Sequence, residues 1–282
     1  LAGLPLQLQE EIAGAYGTLS ADPRYGHFVR IPQRICRCLD YFEVRADRAA
    51  VIERLHAYYL FIGVVDDHID STNIEAGKDV LRELIQLSPG ASANTSPSAL
   101  VTRVLRSHID ARFLAEVVAR FEQLYAAVIG ERQAKELAAF VQARRNVGRL
   151  TAEISYLLVS SLLEQPREDV RLFLEDVGEV GCLVDSVIDL RPDRRNRLLG
   201  FIPTLKDQLL ILSYSLRGGV KISLRHPRLV FLFLEAIGDN LLDRLRSLDN
   251  PDKRRRKFAG LLEHKNIEIP SERLAGASWT KP

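Results

Sequence analysis

The run Phe61-Ile62-Gly63-Val64-Val65 is wholly apolar, and it passes without a break into Asp66-Asp67-His68-Ile69-Asp70. On a helix, Asp66 and Asp70 stand one turn apart on the same face, with Asp67 about 100° round. Two carboxylates stacked at i and i+4 repel unless something positive lies between them. Carboxylates set in an apolar interior are costly unless they are paired or coordinate a metal ion. The plain alternative is an acidic helix end in water.

A second cluster, Asp185-Ser186-Val187-Ile188-Asp189-Leu190-Arg191-Pro192-Asp193, weighs against that alternative. Asp185 and Asp189 are again i, i+4, and Asp193 continues the series with a drift of about 40° per step. Pro192 is unfavourable inside a helix and biases Arg191 away from helical geometry, so Asp193 is expected just beyond the helix end. Ligand and metal sites in helical bundles are built from side chains on facing helices. A di-iron site would require Glu-x-x-His motifs on two helices, a pattern this chain does not carry. Asp-rich, His-poor ligation favours Mg²⁺ over zinc or iron. His68 is assigned no ligand role.

Apolar spacing is helical nearly everywhere and strand-like alternation is scarce, which predicts an all-α fold. Helices are expected over 6–19, 46–70, 74–87, 98–111, 114–128 and 131–163, the last with a bend near Gly148. Others are expected over 167–190, over 204–216 with Arg217-Gly218-Gly219 as its stop, and over 229–248 and 252–264. Residues 88–97 read as a loop. One domain is expected over 1–265, with a poorly ordered tail over 266–282.

Apolar residues make up 46% of the 282, charged residues 27%, and the net charge is +2. That balance excludes a nucleic-acid footprint. No stretch approaches the ~20 apolar residues of a membrane span, and no signal peptide is expected. Cys36-Arg37-Cys38 has the wrong spacing for a zinc or thioredoxin motif. With Cys182 it reads as reduced, buried thiols of a cytoplasmic protein.

The two acidic motifs together resemble those of the class I isoprenoid synthase superfamily, over roughly residues 25 to 260. The resemblance implies a single-domain helical bundle around a deep central cavity. It also implies that Asp66, Asp67, Asp70, Asp185, Asp189 and Asp193 bind Mg²⁺, which grips an allylic diphosphate. Asp66, Asp70, Asp185 and Asp189 are then the catalytic set. Ser186 stands where chain-elongating members carry a second Asp. Arg145 and Arg149, i and i+4, are the expected diphosphate ligands, because guanidinium forks suit phosphate oxygens. Arg194 and Arg195 resemble the basic residues that clamp diphosphate on closure. Tyr58, Tyr59 and Phe61 are candidates to line the cavity, with aromatic core packing as the commoner explanation.

Departures from the superfamily pattern narrow the reading. Ser71-Thr72-Asn73 follows the first motif where elongating enzymes carry paired arginines, and an early Gly-Gly-Lys is missing. Within the superfamily the chain most resembles prenyltransferases of moenomycin-type phosphoglycolipid biosynthesis, an antibiotic pathway. That implies transfer of a geranyl group from its diphosphate to an amphiphilic lipid or glycolipid acceptor such as a farnesyl phosphoglycolipid. A terpene cyclase is the alternative, disfavoured by the 7% aromatic content. A non-enzymatic all-α interaction protein is the third reading. The superfamily often forms homodimers. Lys253-Arg254-Arg255-Arg256-Lys257 would suit peripheral contact with the inner membrane face.

Overall fold

A computed structural model describes residues 6–26, 28–71, 74–86, 96–195 and 199–231, with 234, 235 and 238. Nine α-helices are found among them: α1 Leu6–Ser20, α2 Ile31–Tyr41, α3 Arg48–Ser71, α4 Ala76–Gln86, α5 Pro97–His108, α6 Leu114–Gln133, α7 Leu137–Ser160, α8 Glu168–Arg195 and α9 Leu205–Arg225. No strand occurs among the described residues beyond one isolated bridge, Ala46 to Leu163. The fold is an all-α bundle, as the periodicity predicts. The chain divides into two compact units, Leu1–Leu234 and Glu235–Pro282. The helices expected beyond 238, the domain end at 265, the tail and most of the 88–97 loop lie outside the described residues.

Helix α3 is the axis of the core. Val51, Leu55, Tyr58 and Leu60 are fully buried, and they cover too many directions for a one-faced helix. Tyr58 donates to the Thr151 carbonyl at 3.0 Å, and Arg54 donates to the Leu158 carbonyl at 2.8 Å. These two bonds fix α3 antiparallel to α7, so that residue 66 falls near the level of residue 144.

Helices α7 and α8 cross on paired glycines. A Cβ on Gly148 would meet the Gly178 carbonyl oxygen at 2.1 Å, and one on Gly178 would meet the Gly148 carbonyl at 2.3 Å. Only glycine admits so close an approach. The bend expected at Gly148 is therefore a helix crossing inside the unbroken α7. The real break lies at 134–136, between α6 and α7.

Three other boundaries differ from expectation. Helix α8 runs through Pro192 to Arg195, which brings Asp193 onto the helix with Asp185 and Asp189. Helix α9 continues through Gly218-Gly219 to Arg225. A Cβ on Gly218 would come within 2.5 Å of Val180 Cγ2, so this glycine serves the α8–α9 contact and does not stop the helix. Helix α2, unplaced from sequence, carries Cys36 and Cys38, which like Cys182 are free thiols.

Candidate active site

Beside the C-terminal turn of α6, Asp66 of α3 and Asp185 of α8 lie within electrostatic reach of one α7 side chain, and Asp70 of α3 repels Asp193 of α8. The linking residue is Arg144 of α7. Its Nε donates to Ser186 Oγ at 3.0 Å and to the Cys182 carbonyl at 3.3 Å. Its Nη1 contacts both carboxylate oxygens of Glu131 at 3.2 Å. Asp66 and Asp185 both act on the Arg144 guanidinium and help to hold it protonated, although burial opposes this and Glu131 is the largest favourable influence. Arg132, next to Glu131 on α6, forms an ion pair with Asp70.

Asp66 and Asp70 are exposed, whereas Asp185, Asp189 and Asp193 are half-buried. Asp66 nonetheless lies in a recess walled closely enough to strip much of its hydration. Lost hydration, and then repulsion from Asp70, push its pKa up to about 7 against the pull of Arg144 and Arg132. Asp193 is likewise pushed up to about 7 by burial and then by Asp189, and Asp70 also repels it. The two motifs thus share one electrostatic field. The Asp70 pKa is raised by burial, although Arg132 opposes the shift. Burial pushes the Cys182 thiol up to about 12, which leaves it an inert neighbour.

Asp67 stands apart from this group. It accepts from Arg24 Nη1 at 3.1 Å and from the Tyr25 hydroxyl at 3.2 Å, so it ties α3 to the turn at 23–25. The expected diphosphate arginines also face elsewhere. Arg145 lies over the Tyr214 ring of α9, 5.5 Å from its centroid. Arg149 is 3.7 Å from Glu153, one turn along its own helix. The reason is helix phase: Arg144 shares its stripe with Gly148 and Ala152, which face α8, and its neighbour Arg145 is turned about 100° away. Arg194 is exposed at the end of α8, and the side chain of Arg195 lies outside the described residues.

The aromatic candidates are core residues. Tyr58 is fully buried, Tyr59 shares a hydrogen bond of 2.9 Å with Ser155 Oγ, and Phe61 packs edge-on against Phe121 at 5.3 Å. Their side chains are taken up by packing in the main hydrophobic core. An open cleft of about 430 Å³ is lined by Asp40, Glu43, Val44, Arg45, Ala46 and Arg48. It lies at the start of α3, about 27 Å along that helix from Asp66.

Among the described residues no three His, Cys, Asp or Glu side chains form a ready metal cage. Mg²⁺ does not require one, since it usually takes one or two carboxylates and completes its shell with water and substrate phosphates. The donors at this end are all oxygen. Asp66 and Asp193 each gain proton affinity from a neighbouring carboxylate, so a divalent cation would relieve the same repulsion. Carboxylate oxygens of this kind suit Mg²⁺ in chemical type better than zinc or iron.

No family model, no curated protein and no solved structure matches this chain.

Proposed function

We propose that the chain is a Mg²⁺-dependent prenyltransferase that ionises an allylic diphosphate and passes the prenyl group to a lipid-linked acceptor. The observation that carries this reading is that Asp66 of the first motif and Asp185 of the second both act on the Arg144 guanidinium, while Asp70 repels Asp193. Two acid rows that need a cation, with guanidinium groups beside them, suit a polyanion delivered with its metal.

In this reading Asp66, Asp70, Asp185, Asp189 and Asp193 hold the ions. Bound Mg²⁺ supplies positive charge to the departing diphosphate. Arg132, paired with Asp70, is the guanidinium nearest to the first motif and would be the one to receive a phosphate oxygen if Asp70 held a metal ion. Arg144, committed to Glu131 and Ser186, fixes α7 against α8 and keeps the two acid rows in register. The allylic C–O bond breaks heterolytically, and its electron pair leaves on the diphosphate. The acceptor's alkene then attacks the allylic cation, and loss of a proton restores a neutral product. A geranyl donor and a farnesyl phosphoglycolipid acceptor are the proposed pair, which would place the step in antibiotic biosynthesis.

Mass spectrometry of products from geranyl diphosphate, with and without a farnesyl phosphoglycolipid, tests this reading. A product heavier than the acceptor by one geranyl group, less a proton, is expected. A cyclic hydrocarbon formed without acceptor would replace transfer with cyclisation. Absence of turnover with every allylic donor would leave a non-enzymatic helical protein.

A further inference from the structure

Helix α9 bears an apolar stripe on its outer face. Leu205, Leu209, Leu212, Leu216, Val220 and Leu224 are all exposed, Leu224 to 80%. At 100° per residue these six positions fall within about 120° of arc, opposite the buried Ile211, Ser215 and Ile222. Ile202 and Phe231, just beyond the two helix ends, are exposed to 71% and 78%. Among the described residues nothing covers this strip, and along a 21-residue helix it is more than the scattered exposed leucines of an ordinary surface.

Charge selects what covers it. Lys206 and Arg217 are exposed along one flank, within about 20° of the edge of the stripe, and Lys221, about 60° beyond that edge, lies 4.0 Å from Asp176 of α8. The sole acid of the helix, Asp207, is committed to the N-terminal capping box with Thr204. A second copy packed antiparallel on the stripe would set one basic row against the other. An apolar strip edged by Lys and Arg instead matches the boundary between acyl chains and anionic headgroups, where long basic side chains reach up to the phosphates.

We propose that α9 docks this protein on an anionic lipid surface, lying in the plane of the interface with its leucine stripe among the acyl chains. Gln208 donates to the Val187 carbonyl at 3.4 Å and Arg225 to Asp176 at 3.1 Å, so α9 runs antiparallel to α8. The Leu205 end of the stripe is therefore the end at which the acids converge. Docking does not depend on the proposed prenyl transfer.

Co-sedimentation of the full chain with vesicles of phosphatidylcholine alone, or mixed equally with phosphatidylglycerol, tests the assignment. Binding to the mixed vesicles is expected, weakened by salt. The pair Leu209→Ser and Leu216→Ser, and separately Lys206→Glu with Arg217→Glu, are each expected to reduce it by at least about tenfold. Both variants change exposed side chains, so unchanged circular dichroism and unchanged diphosphate release in solution are expected. Failure of the full chain to bind would overturn the proposal. So would binding that survives both α9 variants and is lost on neutralising Lys253–Lys257. A dimer dissolved by the leucine substitutions, with no vesicle binding, would assign the stripe to a second copy.

Discussion

Arg144 of α7 donates from Nε to the hydroxyl of the buried Ser186 on α8 at 3.0 Å, while its Nη1 spans both oxygens of Glu131 on α6. One side chain thus joins three helices at the point where two acidic motifs meet. Ser186, which in sequence marks a departure from the chain-elongating pattern, is the residue that receives this arginine.

Arg144→Met is expected to destabilise the fold by about 2 kcal/mol, because it leaves Glu131 without its partner. The figure is below that for a fully buried pair, since 23% of the arginine side chain remains accessible. Adding Glu131→Gln should recover part of the loss in urea denaturation. Additive effects of the two changes would show that the ion pair is not coupled.

Gly148→Ala is expected to cost about 3 kcal/mol, since the new methyl would meet the Gly178 carbonyl oxygen at 2.1 Å. Gly181→Ala on the same α8 meets nothing within 4 Å and should stabilise by about 0.5 to 1 kcal/mol through helix propensity alone. Thermal melts of the two variants check the contrast. A neutral Gly148→Ala would mean that the helices do not cross there.

Without divalent cations, the stability contributed by Asp66 and Asp193 should fall as pH rises from about 4 to about 7. Asp66 and Asp193 have folded pKa values raised from 3.8 to about 7. Over that interval the folded chain retains protons that the unfolded chain has released, so rising pH favours unfolding, and above about 7 the effect is complete. Denaturation of wild type and Asp66→Asn at pH 5 and pH 8 in chelator separates this decline from the opposite contribution of His56 and His108, whose burial lowers their pKa. The variant should lose less stability, or gain more, as pH rises. An identical slope in the variant would contradict the raised value at Asp66.

Arg132→Ala is expected to weaken substrate diphosphate binding by about tenfold while leaving stability within about 1 kcal/mol, because its pair with Asp70 is partly exposed. Inhibition by inorganic diphosphate in the presence of Mg²⁺ measures the effect. Unchanged inhibition would remove Arg132 from the proposed site.

The acids were legible in the sequence because charge interrupting an apolar helix is costly enough to demand a reason. Their facing one another was expected from the way helical bundles build sites and from the family resemblance, and Asp193 lies on the same helix as Asp185 and Asp189 because α8 continues through Pro192. Arg145 and Arg149 were singled out from sequence, whereas the α7 arginine beside the acids is Arg144. Arg144 and Arg145 are chemically identical neighbours, and only the phase of α7 tells them apart. Gly148 and Ala152, four and eight residues on, held that information as small residues facing another helix. The same oversight turned Gly148 into a bend and Gly218-Gly219 into a stop. A glycine signals either a break or a close approach, and the sequence does not say where the neighbouring helix lies. Glu131 and Arg132 were missed because an ion pair across 62 residues, Arg132 to Asp70, has no local signature.

The central claim is that the two acidic motifs form one diphosphate-ionising site, and release of diphosphate from geranyl diphosphate tests it most directly. The wild-type chain should release diphosphate with Mg²⁺ and stop in chelator. Asp66→Asn and Asp185→Asn should each lose at least about 100-fold while keeping their helical circular dichroism. No release from geranyl, farnesyl or geranylgeranyl diphosphate, or activity retained in both variants, would contradict it.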